Sequence, residues 1–260
     1  MCGRLLDKNK YNLLKNYIID IHKIRPQAFI TWMDIVWIGG LNPFLRRVQF
    51  FRASYVMKSN AVSIYRSPGA AFDVIAMAAS AGGLDALSEV LSHLPADFPG
   101  AIVIVQHLDR RHRSLMADIL DRRTPLVVQE ATEGDHLQSG TVYIAPPDRH
   151  LLVNPDGTLS LSQSELVHFV RPSADLLFES LAASYQDRAI AIVLTGTGSD
   201  GVMGVQAISK MRGTVIAQDE ATSKFFGMPS AAIQTGCVDF ILPLEEIAPA
   251  ILTLMKEENL

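Results

Sequence analysis

The spacing of apolar residues changes character near Phe72. Beyond it, short runs of Val, Ile and Ala alternate with stretches whose apolar positions recur at helical intervals. "FDVIAMAA" reads as a buried strand, and "GGLDALSEVLSHL" then sets Leu84, Leu87, Val90, Leu91 and Leu94 on one helical face. "PGAIVIVQ" predicts a second strand and "RSLMADILDRR" a second helix, while "LVVQEA" and "GTVYIAPP" are further strands. "HLLVNPDGTLSLS" predicts a hairpin, with Asp156-Gly157 supplying its turn. "SADLLFESLAASY" predicts a helix capped by Ser173, "AIAIVLT" a strand, "GVQAISKM" a helix, "GTVIAQ" a strand and "EEIAPAILTLMKE" a closing helix.

Continuous Val/Ile runs bounded by helices are the mark of parallel strands buried on both faces. The expected fold is therefore α/β: a three-layer, mostly parallel, doubly wound sheet with helices on both faces and one β-hairpin. In such sheets chemistry gathers where the loops leave the carboxyl ends of the strands.

Three polar residues stand at such exits: Ser80 after "VIAMAA", His107 after "AIVIVQ" and Asp200 after "AIAIVLTGTGS". Each has an ordinary explanation. Ser80 is a natural N-cap, a lone His at a strand end is usually solvated, and Asp200 would cap the helix that follows it. Together they supply three different jobs. A serine hydroxyl needs a neighbouring base to become a nucleophile, and histidine accepts and returns a proton near neutral pH. An aspartate fixes the imidazole tautomer and stabilises its charged form. Ser80 at the start of a helix also brings backbone N–H groups to where an oxyanion would form, and Gly82 and Gly83 leave room for a carbonyl. The stretch departs from the nucleophile elbow G-x-S-x-G, because Ala78 stands where its first glycine would be.

"TGTGSDGVMG" offers a competing reading. Gly196, Gly198 and Gly201 match G-x-G-x-x-G, and Asp219 lies about 20 residues on, where a ribose-binding acid would sit. Against a dinucleotide site, Asp200 would face the pyrophosphate at a cost of roughly 4 kcal/mol per charge pair at ~4 Å, with no Lys or Arg in the loop to offset it.

Composition divides the 260 residues again. Residues 1–70 hold 11 Lys+Arg against 3 Asp+Glu, leaving 12 basic and 24 acidic residues in 71–260. Both tryptophans also fall in the first part. Residues 1–71 are expected to form a basic, aromatic extension and 72–260 a catalytic domain. Two readings stand for residues 1–56: a segment that touches anionic lipid or nucleic acid, or a misplaced start with the protein beginning at Met57. The run "AFITWMDIVWIGGL" contains Asp34 and is shorter than the ~20 apolar residues a membrane span needs, so no integral membrane protein is expected. The acidic balance of the second part argues against nucleic acid as its partner. Cys2 and Cys237, far apart and without neighbouring ligands, suit a reducing cytoplasm and indicate neither disulfide nor zinc site.

The stretches "ASAGG", "IVQHL", "IAPPDRHLLV", "RPSAD", "LTGTGSDG" and "AQDEATSKFFGMP", in this order, make residues of about 72–258 resemble the catalytic domain of the bacterial chemotaxis receptor methylesterases. The resemblance implies a Ser-His-Asp hydrolase of glutamate methyl esters on methyl-accepting chemoreceptors or related proteins, with glutamine deamidation alongside and no metal or organic cofactor. It assigns the triad to Ser80, His107 and Asp200. It assigns oxyanion and substrate contacts to Ala81, Thr197, Gly198, Arg171 and Met228, and gives Arg149, His150 and Ser173 either cleft-lining or structural parts. Ala81 stands where some relatives carry Thr, and Thr197 where well-studied members carry Met. Members commonly carry an N-terminal phosphoacceptor domain, for which residues 1–71 are too short. Docking on a glutamate-rich receptor would then fall to local cations such as Arg110, Arg111 and Arg113, with His112 a minor candidate base. A small-molecule serine esterase and a non-catalytic docking module of the same fold are the alternatives.

Overall fold

The computed structural model describes residues 73–107 and 114–256. The N-terminal extension with Met57, and the Arg110, Arg111, His112 and Arg113 cluster, lie outside these described residues. Along the chain run β1 (Val74–Ala79), α1 (Gly83–Ser92), β2 (Ala101–Gln106), α2 (Met116–Asp121), β3 (Val127–Glu130), β4 (Thr141–Ile144), β5 (His150–Val153) and β6 (Leu159–Ser162). Then come α3 (Ala174–Tyr185), β7 (Ala189–Val193), α4 (Val202–Lys210), β8 (Thr214–Gln218), α5 (Gly227–Gln234), β9 (Phe240–Leu242) and α6 (Leu244–Lys256).

Seven strands form one sheet in the order β3-β4-β2-β1-β7-β8-β9, while β5 and β6 make a separate antiparallel hairpin. Every pairing in the large sheet is parallel. Side chains alternate across the pleat, and the two faces bury different sets. Val74, Ala76 and Ala78 of β1 pack with Leu177 and Phe178 of α3 and with Val205 and Ile208 of α4. Ile75, Met77 and Ala79 pack with Leu87 and Leu91 of α1 and with Ile247 and Ile251 of α6. This double cover is why the strands read as unbroken apolar runs.

From β1 the chain winds outward to β2, and from β7 it winds outward the other way to β8. The crevice at the carboxyl ends of β1 and β7 is thus the switch point of the sheet. Two elements escape the apolar pattern. In α5 the sequence "GMPSAAIQ" has a proline and small residues instead of an amphipathic stripe. In β9 three residues are too few for any periodicity.

Candidate active site

The exits of β1, β2 and β7 build the site. Ala79 pairs with Gln106 at the last register position, so Ser80 and His107 follow on neighbouring strands, whose spacing is about 4.8 Å. The N–H of His107 donates to the carbonyl of Ala79 at 3.1 Å, holding that register past the strand ends. Ala78 and Val105 face α3 and α4, and alternation carries Ser80 and His107 to this same face.

Asp200 arrives from the loop after β7 and is 5% exposed. His107 Nε2 lies 2.8 Å from Asp200 Oδ2. A carboxylate only accepts, so Nε2 carries the proton and Nδ1 is the base left for a hydroxyl. The same carboxylate accepts from Ser173 Oγ (2.7 Å), Ala174 N–H (2.6 Å) and Asp175 N–H (3.1 Å). Burial alone would raise its pKa, but the bonds from His107, Ala174 and Ser173 outweigh burial and hold the group below the ordinary carboxylate value. Asp200 therefore stays ionised where a protonated imidazole would need it.

Asp200 does not cap the helix that follows it. It caps the start of α3, while α4 has Gly201 at its own N-cap position and takes its carboxylate from Asp175 instead. Ser173 occupies the N-cap position of α3, yet its hydroxyl makes no cap bond and donates to Asp200. The carboxylate is the stronger acceptor for the first N–H groups of a helix.

The turn after Ser80 is shaped by its glycines. Gly82 has φ +79°, a conformation that side chains disfavour, and a Cβ on Gly83 would fall 2.0 Å from Gln106 Oε1. The two glycines thus serve the turn itself as well as leaving the mouth open. Ser80 N–H is used by Thr195 O at 3.0 Å and Gly83 N–H by Ser80 O at 2.9 Å. The Ala81 N–H between them has no acceptor among the described residues. Thr197 and Gly198 are exposed on the facing loop. Gly196 makes the approach possible, for a Cβ there would lie 2.8 Å from Ser80 Cβ and 2.4 Å from Met228 Sδ. Met228 is buried at the start of α5, its N–H on Gly196 O at 2.9 Å.

Arg171 is tied down. Its guanidinium bonds Asp148 and the carbonyls of Gln163 and Ser164, which makes it a clamp beneath the loop leading to α3. His150 is fully buried, with Nε2 donating to Glu165 O at 3.0 Å, and burial pushes its pKa down. Arg149 is exposed at the start of the hairpin.

Three positioning residues were missed by sequence reasoning. Gln106 Nε2 donates to the carbonyls of both Ser80 (2.7 Å) and His107 (3.2 Å). Thr195 Oγ1 donates to Ala81 O (3.0 Å) and accepts from Phe225 N–H (2.8 Å). Gln218 Oε1 takes the N–H of Thr195 at 2.8 Å. A signal was present: "AIVIVQ", "AIAIVLT" and "TVIAQ" each end an apolar run in a buried polar side chain.

The dinucleotide reading fails on the same geometry. The helix N-terminus that a pyrophosphate would need is occupied by Asp175, whose Oδ1 accepts Gly204 N–H at 2.9 Å. Asp219 is used locally, accepting from Thr222 N–H and Oγ1.

The family model for CheB methylesterase matches residues 75–251. The chain belongs to the CheB methylesterase family. It is 42% identical over 194 residues to a protein-glutamate methylesterase/protein-glutamine glutaminase of Moorella thermoacetica, covering 73% of this chain but 45% of that relative. A putative enzyme of the same name from Leptospira interrogans is 40% identical over 183 residues, and 95% of its length is covered. The crystal structure of the CheB methylesterase catalytic domain of Thermotoga maritima superposes with a TM-score of 0.69 at 35% identity, covering 71% of this chain and all of that one. The chain thus spans less than half of the Moorella relative and nearly all of the Leptospira one. Among the described residues, no helix is long and apolar enough to cross a membrane, and no group of three His, Cys, Asp or Glu could hold a metal ion.

Proposed function

We propose that residues 72–260 form a catalytic domain that hydrolyses glutamate γ-methyl esters on a methyl-accepting chemoreceptor or related cytoplasmic signalling protein, and deamidates glutamine at the same centre. One observation carries this reading: the 2.8 Å bond between His107 and Asp200, with Ser80 at the adjoining register position.

Ser80 Oγ attacks the ester carbonyl as its proton passes to His107 Nδ1. The oxyanion is met by the N–H of Ala81 and by the backbone of Thr197 and Gly198 across the cleft. The carbon–methoxide bond then breaks, His107 returns the proton, and methanol leaves an acylated Ser80. Water, deprotonated by His107, attacks the acyl carbon; Ser80 recovers its proton and a glutamate is released. With glutamine the first leaving group is ammonia. Asp200 stays ionised throughout and stabilises the imidazolium.

The test is methanol release from methylated receptor by the full chain and by its Ser80→Ala variant. Turnover that falls by about a thousandfold or more supports the assignment. Equal turnover by both proteins removes it, and hydrolysis confined to simple esters would favour the small-molecule reading.

A further inference from the structure

The segment between β6 and α3 holds a feature that the chemistry leaves unused. Val167 and Val170 pair across a two-residue turn, each donating its N–H to the other's carbonyl (3.2 and 2.9 Å). The corner residues are His168, with φ 49°, and Phe169, with φ 64°. Both lie in the left-handed region, where such turns favour Asn-Gly and bulky residues are disfavoured.

The corner is held firmly from below. Arg171 grips the carbonyls of Gln163 and Ser164, and His150 that of Glu165. His168 Nε2 lies 3.2 Å from Asp175 Oδ2. Phe169 is the outcome: it is 92% exposed, more than any other large apolar side chain among the described residues.

This tip stands at the rim of the site. Asp175, which meets His168, donates its N–H to Asp200 and accepts from the N–H of Gly204. Met203 is 56% exposed beside it. Phe225, 47% exposed, borders the site from the Thr195 side through its backbone bond to Thr195 Oγ1. Singly exposed apolar residues are ordinary. Phe169 differs in sitting on an unfavourable and well-anchored corner, one residue from the His168 that meets Asp175.

A glutamyl side chain is short, so the substrate backbone must lie across this rim for its ester to reach Ser80. On a helix, residues three and four away stand only about 5–6 Å to either side. We propose that the substrate presents its ester on an amphipathic helix whose apolar face docks on Phe169, and that this contact selects methyl esters so carried over small esters. This rests on the methylesterase reading above.

The test uses two substrates of identical chemistry: a designed two-helix coiled coil with one glutamate γ-methyl ester flanked by leucines, and N-acetylglutamate γ-methyl ester. Phe169→Ala should lower kcat/KM on the coiled coil by about tenfold or more, mainly through KM, the scale of one aromatic anchor. On the small ester it should stay within about twofold, and Phe169→Leu should retain most of the activity on both. A His168→Asn, Phe169→Gly double variant should show a higher Tm and the same selective loss, which a merely structural role would not give. Unchanged coiled-coil turnover in Phe169→Ala, or equal loss on both substrates, overturns the docking role. A wild-type chain that cleaves only the small ester also overturns it while leaving the hydrolase intact. Cleavage of neither ester sinks the methylesterase reading itself, and the docking role with it.

Discussion

Asp175 and Asp200 cap each other's helices: Asp175, in the first turn of α3, accepts the N–H of Gly204 in α4, while Asp200, just before α4, accepts those of Ala174 and Asp175 in α3. Each positive helix end meets a carboxylate from its neighbour. The acid of the proposed triad is therefore also a joint between two helices, and its loss should be felt in both chemistry and stability.

Asp200→Asn keeps the shape but leaves fewer acceptor sites for the four donors around it. Turnover on a methyl ester should fall by about 10³–10⁴, because the tautomer of His107 is no longer fixed. Urea unfolding should show a loss of about 1–3 kcal/mol as buried donors go unmatched. A variant with unaltered stability would contradict the capping role.

The two acids should respond to pH with opposite sign. Asp200 is held below its ordinary value, so its contribution is full above the unfolded-state pKa and is lost as pH falls through the folded one. Asp175 is raised, first by burial and then, against the Gly204 N–H, by the charge of Asp200. Its contribution is full below the unfolded-state pKa and is lost as pH rises through the folded one. Relative to wild type, Asp175→Asn should thus gain stability as pH rises from about 4, where model carboxylates titrate. Urea midpoints taken across the acid range would reveal a gain, or the flat line that rejects it.

His150 should act as an acid-labile brace. Burial lowers its pKa, so its stabilising contribution is present above the ordinary value and is lost as pH falls below it. Protonation would also place a second donor at Nδ1, which is buried without a partner among the described residues. Wild-type stability should decline from about pH 6.5 downward, and His150→Gln should flatten that slope. Thermal unfolding at several pH values checks it.

Gly196→Ala should harm activity more than stability. The flexible end of Met228 can yield to the new methyl, whereas Ser80 Cβ, 2.8 Å from it, sits on backbone fixed by Thr195. We expect about a hundredfold or greater loss of turnover with roughly 1–3 kcal/mol of destabilisation, typical of overpacking. Adding Met228→Ala should leave turnover low, because the clash with Ser80 Cβ remains. Recovery of turnover would instead place the clash at Met228.

Much of this was legible in the amino-acid pattern. Unbroken runs such as "AIVIV" announced parallel strands because both of their faces are buried, and the strand-exit rule pointed to Ser80, His107 and Asp200, the last two of which are hydrogen-bonded. The alliance of α3 with Asp200 was not legible, since a carboxylate's choice between the following helix and one 27 residues upstream is decided by packing. Neither was the commitment of Arg171 to Asp148, because spacing says nothing about which partner a guanidinium will find. Gln106 and Gln218 could have been found by asking why an apolar strand ends in an amide.

The seam between β1 and β7 also separates two degrees of structural constraint. Reactive groups hang from strand ends that cannot slip without emptying the core, whereas the hairpin and the segment leading to α3 are spliced in between β4 and β7, outside the large sheet. Reshaping only the exposed tip of that splice, around Val167–Val170, would change what meets the rim, provided that Ser173 and the start of α3 keep their bonds to Asp200.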